Sequence, residues 1–269
     1  MKTIGPDPRS NMASRNPFEA PRARVDDPGP EGAGALLDPP RAVEAGRGLG
    51  WLGDGWALFK EAPGTWVGVI LVWGIISIAL NLIPVANLLA SLVNPVLTGG
   101  LMFGCHSLAQ GRGLALGHLF EGFQRRFGPL LSIGLATLLG TLGIVGVALL
   151  GVLGVAGTAD ILLRQDMSAI PDPMMVLLAV LMALALLVPL MMALWFAPAL
   201  AILHDLPPVK AMSLSFRGCL RNLIPFLVYG LGGLALGLLA SLPLGLGWLV
   251  LVPVLVTSTY AAYRDIFIA

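Results

Sequence analysis

The residues best suited to chemistry are few. His106, His118 and His204 are competent metal ligands, and Cys105, Cys219 and Asp205 lie near them in the chain order of the loops. No two of them stand at HxxxH or CxxC spacing, so no metal site is expected. A nucleophile motif is also missing: the chain has no GxSxG, HExxH, Walker A loop or dinucleotide fingerprint. Without an acid-base pair or a nucleophile, neither an enzyme nor a cofactor is expected.

Two other groups of residues could recognise a ligand. Arg125 and Arg126, and then Lys210, Arg217 and Arg221, cluster on short segments between apolar runs. A basic cluster there suits anionic lipid headgroups or a partner, since each Lys or Arg near an anionic leaflet adds about 1 kcal/mol of attraction. Topology setting and interface anchoring are the simpler use of the same charges. No basic cluster is interleaved with stacking aromatics, so nucleic acid is not an expected partner.

The second group is polar but uncharged. Asn87, Ser91, Asn94 and Thr98 recur at helical spacing along one stripe. They suit hydrogen bonds between helices, or a polar lining for a substrate path. Pro95, Pro198 and Pro253 recur in corresponding apolar runs. A proline inside a helix removes a donor and frees a carbonyl one turn earlier. In a bilayer that carbonyl needs a partner. Each proline therefore marks a kink, and together they could shape a cavity.

The elements that must hold these residues are membrane spans. The chain is 57% hydrophobic and 12% charged, with a mean hydropathy of +0.86. Soluble domains carry roughly a quarter charged residues. Six apolar runs free of Asp, Glu, Lys and Arg are long enough to cross a bilayer. Their expected bounds are 65–83, 86–108, 129–157, 173–203, 223–242 and 248–263. The third and fourth exceed one crossing, so tilt or a kink must absorb the excess. The missing charge argues against ion-coupled transport, which places ionisable groups inside the bundle.

Orientation follows from basic residues in short loops. Arg112, Arg125 and Arg126 follow the second span; Lys210, Arg217 and Arg221 follow the fourth; Arg264 follows the last. On the other side, Arg164 is outnumbered by Asp160, Asp166 and Asp172. Both termini are therefore expected in the cytosol.

Residues 1–44 read as a disordered tail, rich in proline and mixed charge. There is no cleavable signal peptide in it. Asn16-Pro17-Phe18 resembles a motif near the start of several bacterial membrane-protein families, which suggests Met12 as the physiological first residue.

Residues 45–269 repeat a plan three times: an amphipathic segment, then a hairpin of two spans. Leu49, Leu52, Trp56 and Phe59 share one face of the first segment. Leu116, Leu119, Phe120, Phe123 and Phe127 do so in the second, and Val209, Met212, Phe216, Leu220 and Leu223 in the third. Glycines four apart, as at Gly100 and Gly104, suit close packing within one monomer or a homo-oligomer face.

Three stretches carry a resemblance: Ala45-Gly46-Arg47-Gly48-Leu49 with Trp51 and Trp56, Phe196-Ala197-Pro198-Ala199-Leu200, and the ending Tyr260-Ala261-Ala262-Tyr263-Arg264-Asp265-Ile266-Phe267. The chain resembles an uncharacterised family of six-span bacterial inner-membrane proteins. It is more distantly similar to YciC-like proteins and to the membrane domain joined to some glycerophosphodiester phosphodiesterases. Those enzymes act through a separate barrel with a His-Arg-Gly motif, which this chain lacks. The resemblance implies an all-α bundle in the inner membrane, with no activity carried over. The expected function is a non-enzymatic protein organising membrane lipids or partners; the alternative is a passive or uncoupled transporter.

Overall fold

A computed structural model describes residues 34–82, 84–159 and 173–269. The chain is an all-α polytopic bundle. Its elements are α1 (Arg47–Glu61), α2 (Pro63–Leu82), α3 (Pro84–Ala109), a 3-10 turn (Leu116–Phe120) leading into α4 (Glu121–Arg125), α5 (Phe127–Ala159), α6 (Pro173–Trp195), α7 (Ala197–Leu203), α8 (Pro208–Arg221), α9 (Leu223–Ser241) and α10 (Trp248–Phe267). Among the described residues, six stretches are long and apolar enough to span a bilayer, with α6 and α7 forming one of them.

These helices differ from the expected span bounds in instructive ways. Pro84 opens α3, as the expected break there requires. The excess length of the fourth span is absorbed by a break at Phe196, two residues before Pro198. Gly154 interrupts α5 with φ +64°, a conformation open to glycine. The last helix continues past Tyr263 and takes in Arg264 and Asp265. The second amphipathic segment is a 3-10 turn and one short α-helix rather than a single helix.

Each short element packs on a proline-containing return helix. The 3-10 turn and α4 lie on α3, α8 lies on α6 and α7, and α1 closes the circle on α10. Close approach requires glycine on the short helices. A Cβ on Gly55 would stand 2.6 Å from the backbone nitrogen of Ser258. One on Gly122 would run into the carbonyl of Val96. The dense core sits at this end and includes Trp51, Leu97, Leu130, Phe196 and Tyr263.

Beyond it the helices expose Ile75, Leu139, Leu178 and Leu238. That is the stable outcome in lipid, where burying leucine against leucine gains nothing over leucine against acyl chain. Burial of the span windows ranges from 61% for Leu88–Ala109 to 6% for Val176–Leu203, so α3 is central and α6 peripheral.

The bulky stripes of the amphipathic segments, expected to lie at the interface, are mostly turned outward: Leu49, Trp56, Phe120, Phe123, Phe127, Val209, Leu220 and Leu223 are all exposed. The buried face of α8 is instead Ala211, Leu214, Ser215, Gly218 and Cys219. One expectation needs correction: the tail boundary moves. Residues 34–44, expected to be disordered, lie against the bundle: Leu37 and Arg41 donate backbone bonds to the carbonyls of Phe267 and Ile266, both 2.8 Å. Local composition argues for disorder there, but long-range partners hold the segment. The Met12 reading and the Asn16 motif lie outside the described residues.

Candidate functional site

Helix α8 has three faces about a third of a turn apart. Large apolar residues (Val209, Phe216, Leu220) occupy one, the small buried residues a second, and Lys210, Arg217 and Arg221 the third. Such a helix can rest against protein, acyl chain and aqueous headgroup layer at once.

The structure engages four of the five basic candidates with the chain's own groups. Arg125 pairs with Glu121 at 2.7 Å, and its guanidinium stands 4.2 Å over the ring of Phe103. Arg126 approaches the Asp205 carboxylate at 3.3 Å and donates to the Asp205 carbonyl at 2.6 Å. Arg217 pairs with Asp38 at 3.0 Å, and Arg221 donates to the Pro40 carbonyl at 2.8 Å. Lys210 is exposed and has no partner among the described residues. The five do not share one pocket.

Asn222, at the end of α8, was not singled out from sequence. It is fully buried. Its Oδ1 accepts from the Val43 N–H at 2.8 Å, and its Nδ2 donates to the carbonyls of Arg41 and Gly218, both at 2.9 Å. This one side chain holds residues 40–43 over the basic face. A lone Asn after a basic run carries no local signal of that role.

The histidines do not converge on a metal. No group of three or more metal-ligating side chains occurs among the described residues. His106 Nδ1 lies 3.0 Å from the Tyr260 hydroxyl, and His204 Nε2 lies against that of Tyr263. These pairs tie the ends of α3 and α7 to α10. Burial holds His204 below the ordinary histidine range, with Asp205 opposing. Burial lowers His118 likewise, aided by Arg125 and Arg112 and opposed by Glu121. The thiol of Cys219 is pushed up to about 12 by burial, against a bond from Ser215, so it is a poor nucleophile.

Of the proline and polar candidates, Asn94, Pro95, Thr98 and Pro198 meet at one cavity of about 300 Å³ between α3, α5 and α6. Ser91, Thr137, Met191 and Trp195 also line it. Pro253 lies elsewhere, buried in α10, and the side chain of Asn87 is outside the described residues. Sequence periodicity found the α3 stripe. The partner wall on α6 had no polar signature to find.

A cavity of about 510 Å³ lies where α1 meets α10 and was not anticipated. Arg41, Arg47 and Arg264 face Asp54, Glu61 and Asp265 in its wall. Arg47 reaches Asp265 at 2.6 Å and Asp54 at 2.9 Å, and the Trp51 indole donates to Asp265 at 2.9 Å. Arg41 donates to the Ile268 carbonyl at 3.3 Å, so this wall ties α1, α10 and the segment before α1 together.

A probable inner membrane protein of Burkholderia thailandensis is 32% identical over 252 residues, spanning 84% of this chain and 92% of the relative. This chain belongs to the same family. No family model matches it, and no solved structure does.

Membership and the six spans together make it a multi-pass transmembrane protein. In such a protein the outward apolar stripes suit contact with acyl chains.

Proposed function

We propose that this chain is a non-enzymatic protein of the bacterial inner membrane that organises lipids at the cytosolic leaflet. The observation that carries the reading is the three-sided α8, whose exposed apolar face adjoins a basic face ending in the unpartnered Lys210. The relative's own description as an inner membrane protein supports the compartment. Arg112, Arg125, Arg126, Lys210, Arg217 and Arg221 all belong to the side of the short helices, which supports cytosolic termini by the positive-inside bias.

Native mass spectrometry of protein released from vesicles of mixed phosphatidylglycerol and phosphatidylcholine tests the reading. Preferential retention of phosphatidylglycerol, reduced in Lys210→Glu, is the expected result. Equal retention of both lipids overturns it.

Uncoupled passage of a small solute is the second reading, and the cavity at Asn94 and Thr98 is the observation behind it. It needs a continuous polar path. Side chains of Leu130 and Ile202 close on Gly99, one residue beyond Thr98, so lipid organisation is the better reading. Neutral-solute uptake by proteoliposomes above that of empty vesicles would reverse the choice.

A further inference from the structure

The cavity in the middle of the bundle has its own chemistry, independent of the basic face. Asn94 lies ten residues after Pro84, the first residue of α3. That is about 15 Å along the helix, halfway through a hydrocarbon core of ~30 Å. Asn94 is exposed into this space, and Thr98 and Ser91 are half-exposed beside it. None of these three side chains has a hydrogen-bond partner among the described residues. Two backbone carbonyls join them. Pro95 cannot donate to the Ser91 carbonyl, and Pro198 cannot donate to that of Leu194. Both residues line the cavity. Unpaired polar groups at this depth are costly unless something satisfies them.

What satisfies them must match the wall. It offers amide and hydroxyl donors together with carbonyl acceptors, and no ionisable side chain. A charged ligand would lie there uncompensated. Toward the short helices the buried side chains of Leu130 and Ile202 pack on Gly99. The space opens past Met191 and Trp195, which are 44% and 40% exposed. The same two side chains line a second, apolar groove of about 370 Å³ between α6 and α9, with Leu187, Met192 and Phe226. A chamber with a polar stripe on a mostly apolar wall thus adjoins an acyl-sized groove.

We propose that this paired chamber and groove bind an uncharged amphiphile of the diacylglycerol class, its hydroxyl and ester groups on Asn94, Thr98 and Ser91 and an acyl chain along Met191 and Trp195. The ligand enters sideways from the membrane.

The test uses the full chain in vesicles of phosphatidylglycerol and phosphatidylcholine carrying a photoreactive diacylglycerol. Peptide mapping is expected to place the label on residues 91–98 and 191–195, with unlabelled diacylglycerol competing. Asn94→Leu and Thr98→Val, each checked for native helicity and monodisperse elution, should weaken labelling by roughly three- to tenfold. Lys210→Glu should leave it unchanged, which separates this site from the basic face. Label spread evenly along α2, α5 and α9 overturns the proposal. So does equal labelling by a photoreactive phosphatidylcholine, or labelling indifferent to both substitutions. Disulfide-linked dimers of Asn94→Cys in place of lipid labelling would assign the chamber to a second copy and overturn it too.

Discussion

The hydroxyl of Ser215 accepts a hydrogen bond from the N–H of Phe196 at 3.0 Å, and it donates to the Met192 carbonyl at 2.7 Å. Met192 and Phe196 stand four residues apart and would bond to each other in an unbroken helix. A side chain from α8 has been inserted into that rung. The insertion opens the fourth span just before Pro198 and fixes the direction of α7. It also sets the wall that carries Met191 and Trp195.

Ser215→Ala leaves both backbone groups without the inserted partner in a fully buried place. A loss of about 1–3 kcal/mol is expected. Chemical denaturation in detergent should show the destabilisation, and hydrogen exchange should quicken at residues 192–200. Unchanged exchange there would mean that the helix recloses without cost.

Gly53 and Gly55 make a matched pair on α1. Gly53 has open space where a Cβ would go, and Gly55 has the backbone of Ser258 at 2.6 Å. Gly53→Ala is expected to be neutral or stabilising, by up to ~1 kcal/mol from helix propensity. Gly55→Ala should cost about 1–3 kcal/mol by forcing α1 off α10. Thermal melting of the two variants decides it, since propensity alone would move both in the same direction.

His204 sets a pH response. Burial holds it below the ordinary histidine value of 6.5 despite Asp205, so the folded state binds its proton less readily than the unfolded chain. Its contribution is fully present above pH 6.5 and is lost as pH falls from there through the lowered folded value. His118, also lowered by burial, acts in the same direction. Melting temperatures should therefore drop as pH is taken from about 7.5 to 5. His204→Gln should flatten that drop without removing it, because His118 remains.

The spans were legible because hydrocarbon excludes charge, and that exclusion is local along the chain. Pro84 and Pro198 marked breaks because a proline has no N–H to donate, which is equally local. The amphipathic character of α1 and α8 was legible, but which residues meet protein was not: α1 buries Trp51, Leu52 and Phe59 beside Gly48 and Gly55, whereas α8 exposes Val209 and Leu220 and buries Ala211, Leu214, Ser215, Gly218 and Cys219. The seating of residues 34–44 was hidden too, because Asn222, Arg217 and Arg221 lie about 180 residues away. Half of the central chamber showed in the Asn94 and Thr98 stripe. The rest came from Ile133 and Thr137 of α5, from α6, which carries no Asn, Ser or Thr, and from Pro198 of α7.

The proposed orientation can be read directly with thiol chemistry, because the native background is silent. Cys105 and Cys219 are both buried, and the Cys219 thiol is pushed up to about 12, so almost no thiolate is present near neutral pH. A membrane-impermeant maleimide should leave the unmodified chain unlabelled until it is unfolded. Lys210 and Leu244 offer exposed positions, with Leu244 97% exposed in the turn between α9 and α10. An odd number of crossings, the single span α9, separates them. Lys210→Cys should react only after the inner membrane is opened, and Leu244→Cys should react from the periplasmic side without opening it. The reverse pattern would put the short helices in the periplasm. The basic face would then meet the outer leaflet, and lipid organisation at the cytosolic leaflet would have to be given up, whereas the diacylglycerol chamber at mid-depth would stand.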